Sequence, residues 1–240
     1  MKIKEIYQKL NEISPFELQE RWDNSGLLVG DMNREIKEIV VSLDIDQKII
    51  EQAKEDTLFI VHHPLIFSGL KQLDFSIYPS NLLEIMVQKR LSLIAMHTNF
   101  DKTHLNSFVF EKILGFKKEF QDEFICRTTG NWSKDELLKL LKERLGLETL
   151  RVVSPKNRIS SIALTTGAGA SLMDEVDADC FLTGDIKYHD AMKAMSQNLM
   201  MVDIGHYESE KFFVDVMMNE LKDLAHLGII SQSQNPFEVN

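Results

Sequence analysis

Three times in this chain an apolar run ends on residues that bind metals or move protons. Phe59-Ile60-Val61 runs into His62-His63-Pro64, and Leu93-Ile94-Ala95-Met96 into His97-Thr98-Asn99-Phe100-Asp101. Met200-Met201-Val202-Asp203-Ile204 runs into Gly205-His206-Tyr207-Glu208-Ser209-Glu210. A lone His-His pair would read as two surface imidazoles on a loop. Single histidines with nearby carboxylates at the ends of two further apolar runs change that reading. Pro64 holds His63 toward extended geometry and cannot donate to a ladder, so the strand stops there. Strict alternation of side chains relaxes where a chain leaves its sheet, so both imidazoles can converge on one point.

His206 and Glu210 stand four residues apart and share one helix face with Phe213, Met217, Leu221 and Leu224. That places Glu210 at the top of the buried stripe, where an ionised carboxylate needs a cation. A carboxylate placed near a helix N-terminus accounts for Glu208 without further chemistry. The donor pool is imidazole and carboxylate without thiolate. It suits Zn²⁺, Mn²⁺, Fe²⁺, Co²⁺ or Ni²⁺ better than Mg²⁺ or Ca²⁺ alone. His62, His63, His97, Asp101, His206 and Glu210 outnumber what one catalytic zinc uses with an open position. Two metals sharing a bridging carboxylate fit the count, and such a pair acidifies water and clamps developing charge.

The elements that position these residues follow from periodicity. Ile3, Ile6, Tyr7 and Leu10 mark an amphipathic helix that ends before Pro15. Trp22-Asp23-Asn24-Ser25-Gly26 is a turn, its aromatic either a packing anchor or a pocket wall. Ile39–Leu43 is a strand followed by Asp44 and Asp46, which suit helix capping ahead of Gln47 more than metal binding. Ser68–Pro79 reads as a loop, 81–90 as a helix, and 105–114 as a helix closed by Gly115. The organisation restarts near Phe124, with a strand at 124–129 and a helix at 133–145 capped by Ser133 and followed by Gly146. Strands are expected at 150–153, 159–165, 178–182 and 199–204, with helices near 190–197 and from Ser209 to about Leu224. Leu227–Ile230 should form an edge strand. The alternation predicts an α/β fold with mixed, largely parallel sheets, whose carboxyl strand ends are where ligands gather.

Composition narrows the classes. The 240 residues carry a formal charge of −10, which disfavours a nucleic-acid partner held through phosphates. Cys126 and Cys180 form no paired motif, excluding a thiolate zinc cage and fitting a reducing, cytoplasmic setting. The N-terminus lacks the apolar core of a signal peptide, and no apolar stretch is long enough to span a bilayer. Thr165-Thr166-Gly167-Ala168-Gly169 has no Gly-Lys-Ser/Thr after it and is not a P-loop. His104 and His226 read as surface residues, while His189 could face a metal pocket.

Taken together, Trp22–Gly26, Val61-His62-His63-Pro64, His97–Asp101, Thr183-Gly184-Asp185 with His189, and Gly205–Glu210 resemble the YbgI-like dinuclear-metal-centre family. Its members often carry the name GTP cyclohydrolase I type 2 homologue. The resemblance implies that His62, His63, Asp101, His206 and Glu210 hold two divalent ions. It gives His97 an orienting or substrate role instead of a ligand's. It further implies a toroidal homohexamer of two α/β domains, one of residues 1–123 completed by 204–240, the other (124–203) inserted in it. The implied activity is a metal-dependent hydrolase on a nucleotide-like or phosphorylated substrate. In the GTP cyclohydrolase version water attacks C8 of the purine, formate leaves, and dihydroneopterin triphosphate results. His97 or Glu208 would then shuttle protons and Lys187 or Arg127 meet phosphates. A two-metal phosphoesterase and a non-catalytic metal-binding or metal-trafficking scaffold are the alternative expectations.

Overall fold

Short apolar runs bounded by turn residues become strands, and segments with helical periodicity pack between them. The computed structural model describes residues 1–227, 230–232 and 234–237. In chain order its strands are β1 (Gly26–Val29), β2 (Glu38–Ser42), β3 (Thr57–Val61), β4 (Ser92–Ala95), β5 (Phe120–Asp122) and β6 (Ile125–Ser133). There follow β7 (Arg151–Val153), β8 (Arg158–Leu164), β9 (Cys180–Thr183), β10 (Met200–Asp203) and β11 (Ile230–Gln232). They form two mixed sheets, and the protein is α/β. The chain divides into two compact units, residues 1–100 with the segment from Phe213 onward, and residues 101–212.

The first unit holds a five-stranded sheet in the order β1-β4-β3-β2-β11. Three of its four pairings are parallel, and β1 runs antiparallel to β4. Every residue of β3 and β4 is buried, which is why both read as continuous apolar runs rather than alternating ones. One core cluster packs Val40, Phe59, Val61, Leu93 and Ala95 against Ile50 and Met86 of the covering helices Gln47–Gln52 and Ser80–Gln88. Helix Ile3–Ile13 buries Ile3, Ile6 and Leu10, as the spacing predicts. Of the expected edge strand at 227–230, Gly228 and Ile229 lie outside the described residues. The strand at the sheet edge is β11, parallel to β2.

The second unit holds a six-stranded sheet in the order β5-β6-β8-β9-β10-β7, with β8-β9-β10 parallel. Its helix Lys134–Leu145 starts on a reciprocal cap: Ser133 accepts from the Glu136 amide at 3.3 Å, and Glu136 accepts from the Ser133 amide at 2.8 Å. Strand β6 runs on to Ser133, past the predicted end at 129, because the ladder resumes at Trp132–Ile159 after a register shift.

Two helices differ from their sequence expectations. The helix after β4 starts at Thr98 rather than 105, and it becomes π-helical at Asp101–Leu105 and again at Val109–Ile113. The expected helix from Ser209 to Leu224 is segmented. It starts at His206, turns at Lys211-Phe212, resumes over Phe213–Glu220 and ends as a 3₁₀ stretch, Lys222–Leu227. Periodicity still identified the buried face, since Phe213, Met217, Leu221 and Leu224 are all buried.

Candidate metal centre

In the first unit the end of β3 brings its two histidines together through the backbone. The amides of His62 and His63 both donate to the Leu43 carbonyl, each at 3.1 Å. Two successive amides sharing one acceptor break the alternation of the strand and leave the rings 4.9 Å apart between centroids. His97, at the end of the neighbouring β4, lies 5.1 Å from the His62 ring and 5.6 Å from the His63 ring. One ring nitrogen from each of these three histidines lies within 4.8 Å of the others.

Each ring is held by its Nδ1. His62 is fully buried, and its Nδ1 donates to the Met96 carbonyl at 2.9 Å. His63 Nδ1 donates to Asp44 Oδ1 at 2.8 Å, and His97 Nδ1 to Asp23 Oδ1 at 2.8 Å. An oxygen acceptor at Nδ1 selects the tautomer with its proton there, which presents the Nε2 lone pair to a ligand. Asp23 also accepts from the Thr98 amide at 3.1 Å and from the Thr98 hydroxyl. Burial alone would raise the Asp23 pKa. The His97 imidazole, through hydrogen bond and charge, together with Thr98 and the Asn24 amide, outweighs burial and holds the carboxyl well below its ordinary range.

The second unit carries Asp101, His206, Glu208 and Glu210. Asp101 is buried at the first position of the π-helical turn, a local irregularity common at functional sites. A carboxylate oxygen of Asp101 and one of Glu210 lie within 4.8 Å of each other. Gly205, at a φ of 77°, turns the chain from β10 into helix His206–Glu210. On that single turn His206 Nε2 lies 2.9 Å from Glu210 Oε2, as the four-residue spacing requires. His206 Nδ1 donates to Asp185 Oδ2 at 2.7 Å, so the pattern of the first unit repeats. Glu208 stands in the same turn, folded back over Gly205.

Glu210 is cradled by the glycine stretch that is no P-loop. The Gly167 amide donates to Ser209 Oγ at 3.0 Å, and the Gly167 carbonyl accepts from the Gly184 amide at 2.7 Å and the Thr183 hydroxyl at 3.0 Å. The function of that stretch is close approach, which its composition alone did not disclose.

Asp23, Asp44 and Asp185 are the residues that sequence reasoning left without this role. Asp46 is a helix cap, accepting from the Ile49 amide at 2.8 Å, whereas Asp44 beside it serves His63. His104, His189 and His226 join no group of metal-type donors among the described residues. Lys187 and Arg127 have structural duties, Lys187 at the start of helix Tyr188–Ser196 and Arg127 paired with Asp177 at 3.1 Å. No helix among the described residues is long and apolar enough to cross a membrane.

Comparison with known proteins defines the class of this fold and donor set. Residues 1–236 match the family described as Duf34/NIF3 (NGG1p interacting factor 3), and the chain belongs to that family. It is 47% identical over 239 residues to a Campylobacter jejuni protein named GTP cyclohydrolase 1 type 2 homolog, covering 99% of both chains. To a Helicobacter pylori protein named GTP cyclohydrolase 1 type 2 it is 43% identical, covering 99% of this chain and 98% of that one. Among solved structures, reduced HcgD from Methanocaldococcus jannaschii superposes with a TM-score of 0.84 at 27% identity, covering 96% of this chain and 97% of the other. The protein ybgI superposes with a TM-score of 0.85 at 20% identity, covering 99% and 100%, which bears on fold alone.

Proposed function

We infer that this protein is a hydrolase dependent on two divalent metal ions, held by His62, His63, Asp101, His206 and Glu210, acting on a nucleotide-like substrate. One observation carries the reading. His62, His63 and His206 each engage an oxygen through Nδ1, the arrangement that orients imidazoles for metal binding. The donor set of imidazoles and carboxylates without thiolate fits Zn²⁺, Fe²⁺, Mn²⁺, Co²⁺ or Ni²⁺. The names of the Campylobacter and Helicobacter relatives support a nucleotide as the substrate class.

Bound there, the ions would acidify a water molecule and stabilise oxygen charge as the bond to it forms. The chain's own residues do the rest. Asp44 and Asp185 fix the imidazoles of His63 and His206. His97, oriented by Asp23, serves as a proton carrier beside the substrate, and Glu208 is a second acid-base group. The chain works as a homohexamer in the cytoplasm on this reading, and its acidic charge keeps it from nucleic acid.

Elemental analysis with anomalous scattering on as-purified protein tests the centre, with two transition-metal equivalents per chain expected. Metal-loaded protein incubated with GTP should release formate, and Asp101→Ala should abolish release. No formate with any of several metals, alongside turnover of chromogenic phosphate esters, would move the assignment to a phosphoesterase.

A further inference from the structure

We propose that Trp22 and Phe67 form a stacking platform for a planar heteroaromatic ring, such as a purine base, at the mouth of the His62-His63-His97 cluster. Both rings are well exposed, Trp22 at 58% and Phe67 at 49%. Their centroids are 5.8 Å apart at 45°, so the two faces meet as an angled aromatic wall in which one ring can stack on a base while the other closes its edge. Both also stand edge-on to His97, at 6.3 Å for Trp22 and 6.2 Å for Phe67, each at 77°. The wall therefore ends at an imidazole that belongs to the donor cluster.

Two exposed aromatics on a surface would ordinarily be left mobile. The loops that carry these two are fastened to each other and to His97. The Asn24 side-chain amide donates to the Ile66 carbonyl at 2.5 Å, fastening the loop of Phe67 to the turn of Trp22. Ser25 Oγ donates to Asp23 Oδ2 at 3.2 Å and accepts from the His97 amide at 3.1 Å, while Asp23 holds the His97 ring. One turn, Trp22–Ser25, thus positions both the platform and the histidine beside it. Exposed aromatic faces on loops already fixed in place lose little entropy when a base stacks on them, and stacking tolerates any base because each has a π-face.

The proposal rests on the hydrolase reading, narrowing its substrate to one with a flat ring beside the reacting bond. The test uses metal-loaded full-length protein. In a Trp132→Phe background Trp22 is the single tryptophan, and its fluorescence reports directly on the platform. Guanosine and GTP should quench it saturably, whereas inorganic triphosphate should not. In equilibrium dialysis, Trp22→Ala should weaken guanosine and GTP binding by roughly tenfold or more, while Trp22→Phe retains most of it. Phe67→Ala should act in the same direction, and inorganic triphosphate should bind all variants equally. Guanosine and GTP affinities within twofold of wild type in both Trp22→Ala and Phe67→Ala would overturn the proposal, as would absence of quenching. Metal content of the same samples keeps the two readings apart. Full metal without guanosine binding removes the platform alone, and guanosine quenching in protein that binds no metal sustains the platform while removing the hydrolase.

Discussion

The Glu210 carboxylate occupies the space in which a side chain at position 167 would stand. A Cβ added to Gly167 would lie 1.9 Å from Glu210 Oε1, and the residue has a φ of 63°. The positive φ favours glycine on conformational grounds, and any larger residue would in addition displace the Glu210 carboxylate. Gly167→Ala should push Glu210 away from Asp101 and cost about 1–2 kcal/mol in backbone strain alone. Bound metal should fall sharply while circular dichroism shows an intact fold, measured by elemental analysis and urea unfolding.

Asp185 and Asp44 touch their histidines at Nδ1 rather than the ligand side. Asp185→Asn and Asp44→Asn should keep the fold but remove the charge that orients and polarises each imidazole. Metal affinity is expected to fall about 10- to 100-fold in either variant, read by competition with a chelator of known strength. Unchanged affinity in both would mean that these carboxylates have no part in metal binding.

Asp179 illustrates acid sensitivity away from the centre. Lys156 and the Ser160 hydroxyl, followed by opposition from partial burial and help from the Ser160 amide, lower its pKa to about 2 from 3.8. A depressed folded-state pKa contributes stability that is full above the unfolded value and is lost as pH falls through the folded value. The window is therefore pH 4 down to 2. Asp179→Ala should cost ~1 kcal/mol near neutrality, after allowing for solvent screening, and the difference from wild type should vanish toward pH 2. Urea titrations at several acid pH values check the sign.

The reciprocal cap at Ser133 is accessible to a simple substitution. Ser133→Ala removes the acceptor for the Glu136 amide at the start of helix Lys134–Leu145 and should cost about 1 kcal/mol. Because the site lies at the end of β6, remote in sequence from every donor named above, metal content should not change. A loss of metal in this variant would signal that the helix matters to the centre.

Much of the architecture was legible because it depends on neighbours in sequence. Buried strands announced themselves as apolar runs, the Ser133 cap and Gly146 bracketed their helix, and a four-residue interval paired His206 with Glu210. The 3.6-residue period identified the buried stripe through Leu224, yet it did not register the turn at Lys211-Phe212, since an apolar pattern persists across a break in the backbone.

What the amino-acid order determined by itself was the donor set, by placing histidines and acids at the ends of apolar strands. Tertiary structure alone decided which carboxylate serves which imidazole. Asp44 reaches His63 across 19 residues, Asp185 reaches His206 across 21, and Asp23 reaches His97 across 74. It likewise gave the Gly167 stretch its task of making room for Glu210. The physical reason is that a hydrogen bond between distant segments leaves no periodic trace along the chain. It exists only once sheet pairing has brought strand ends side by side.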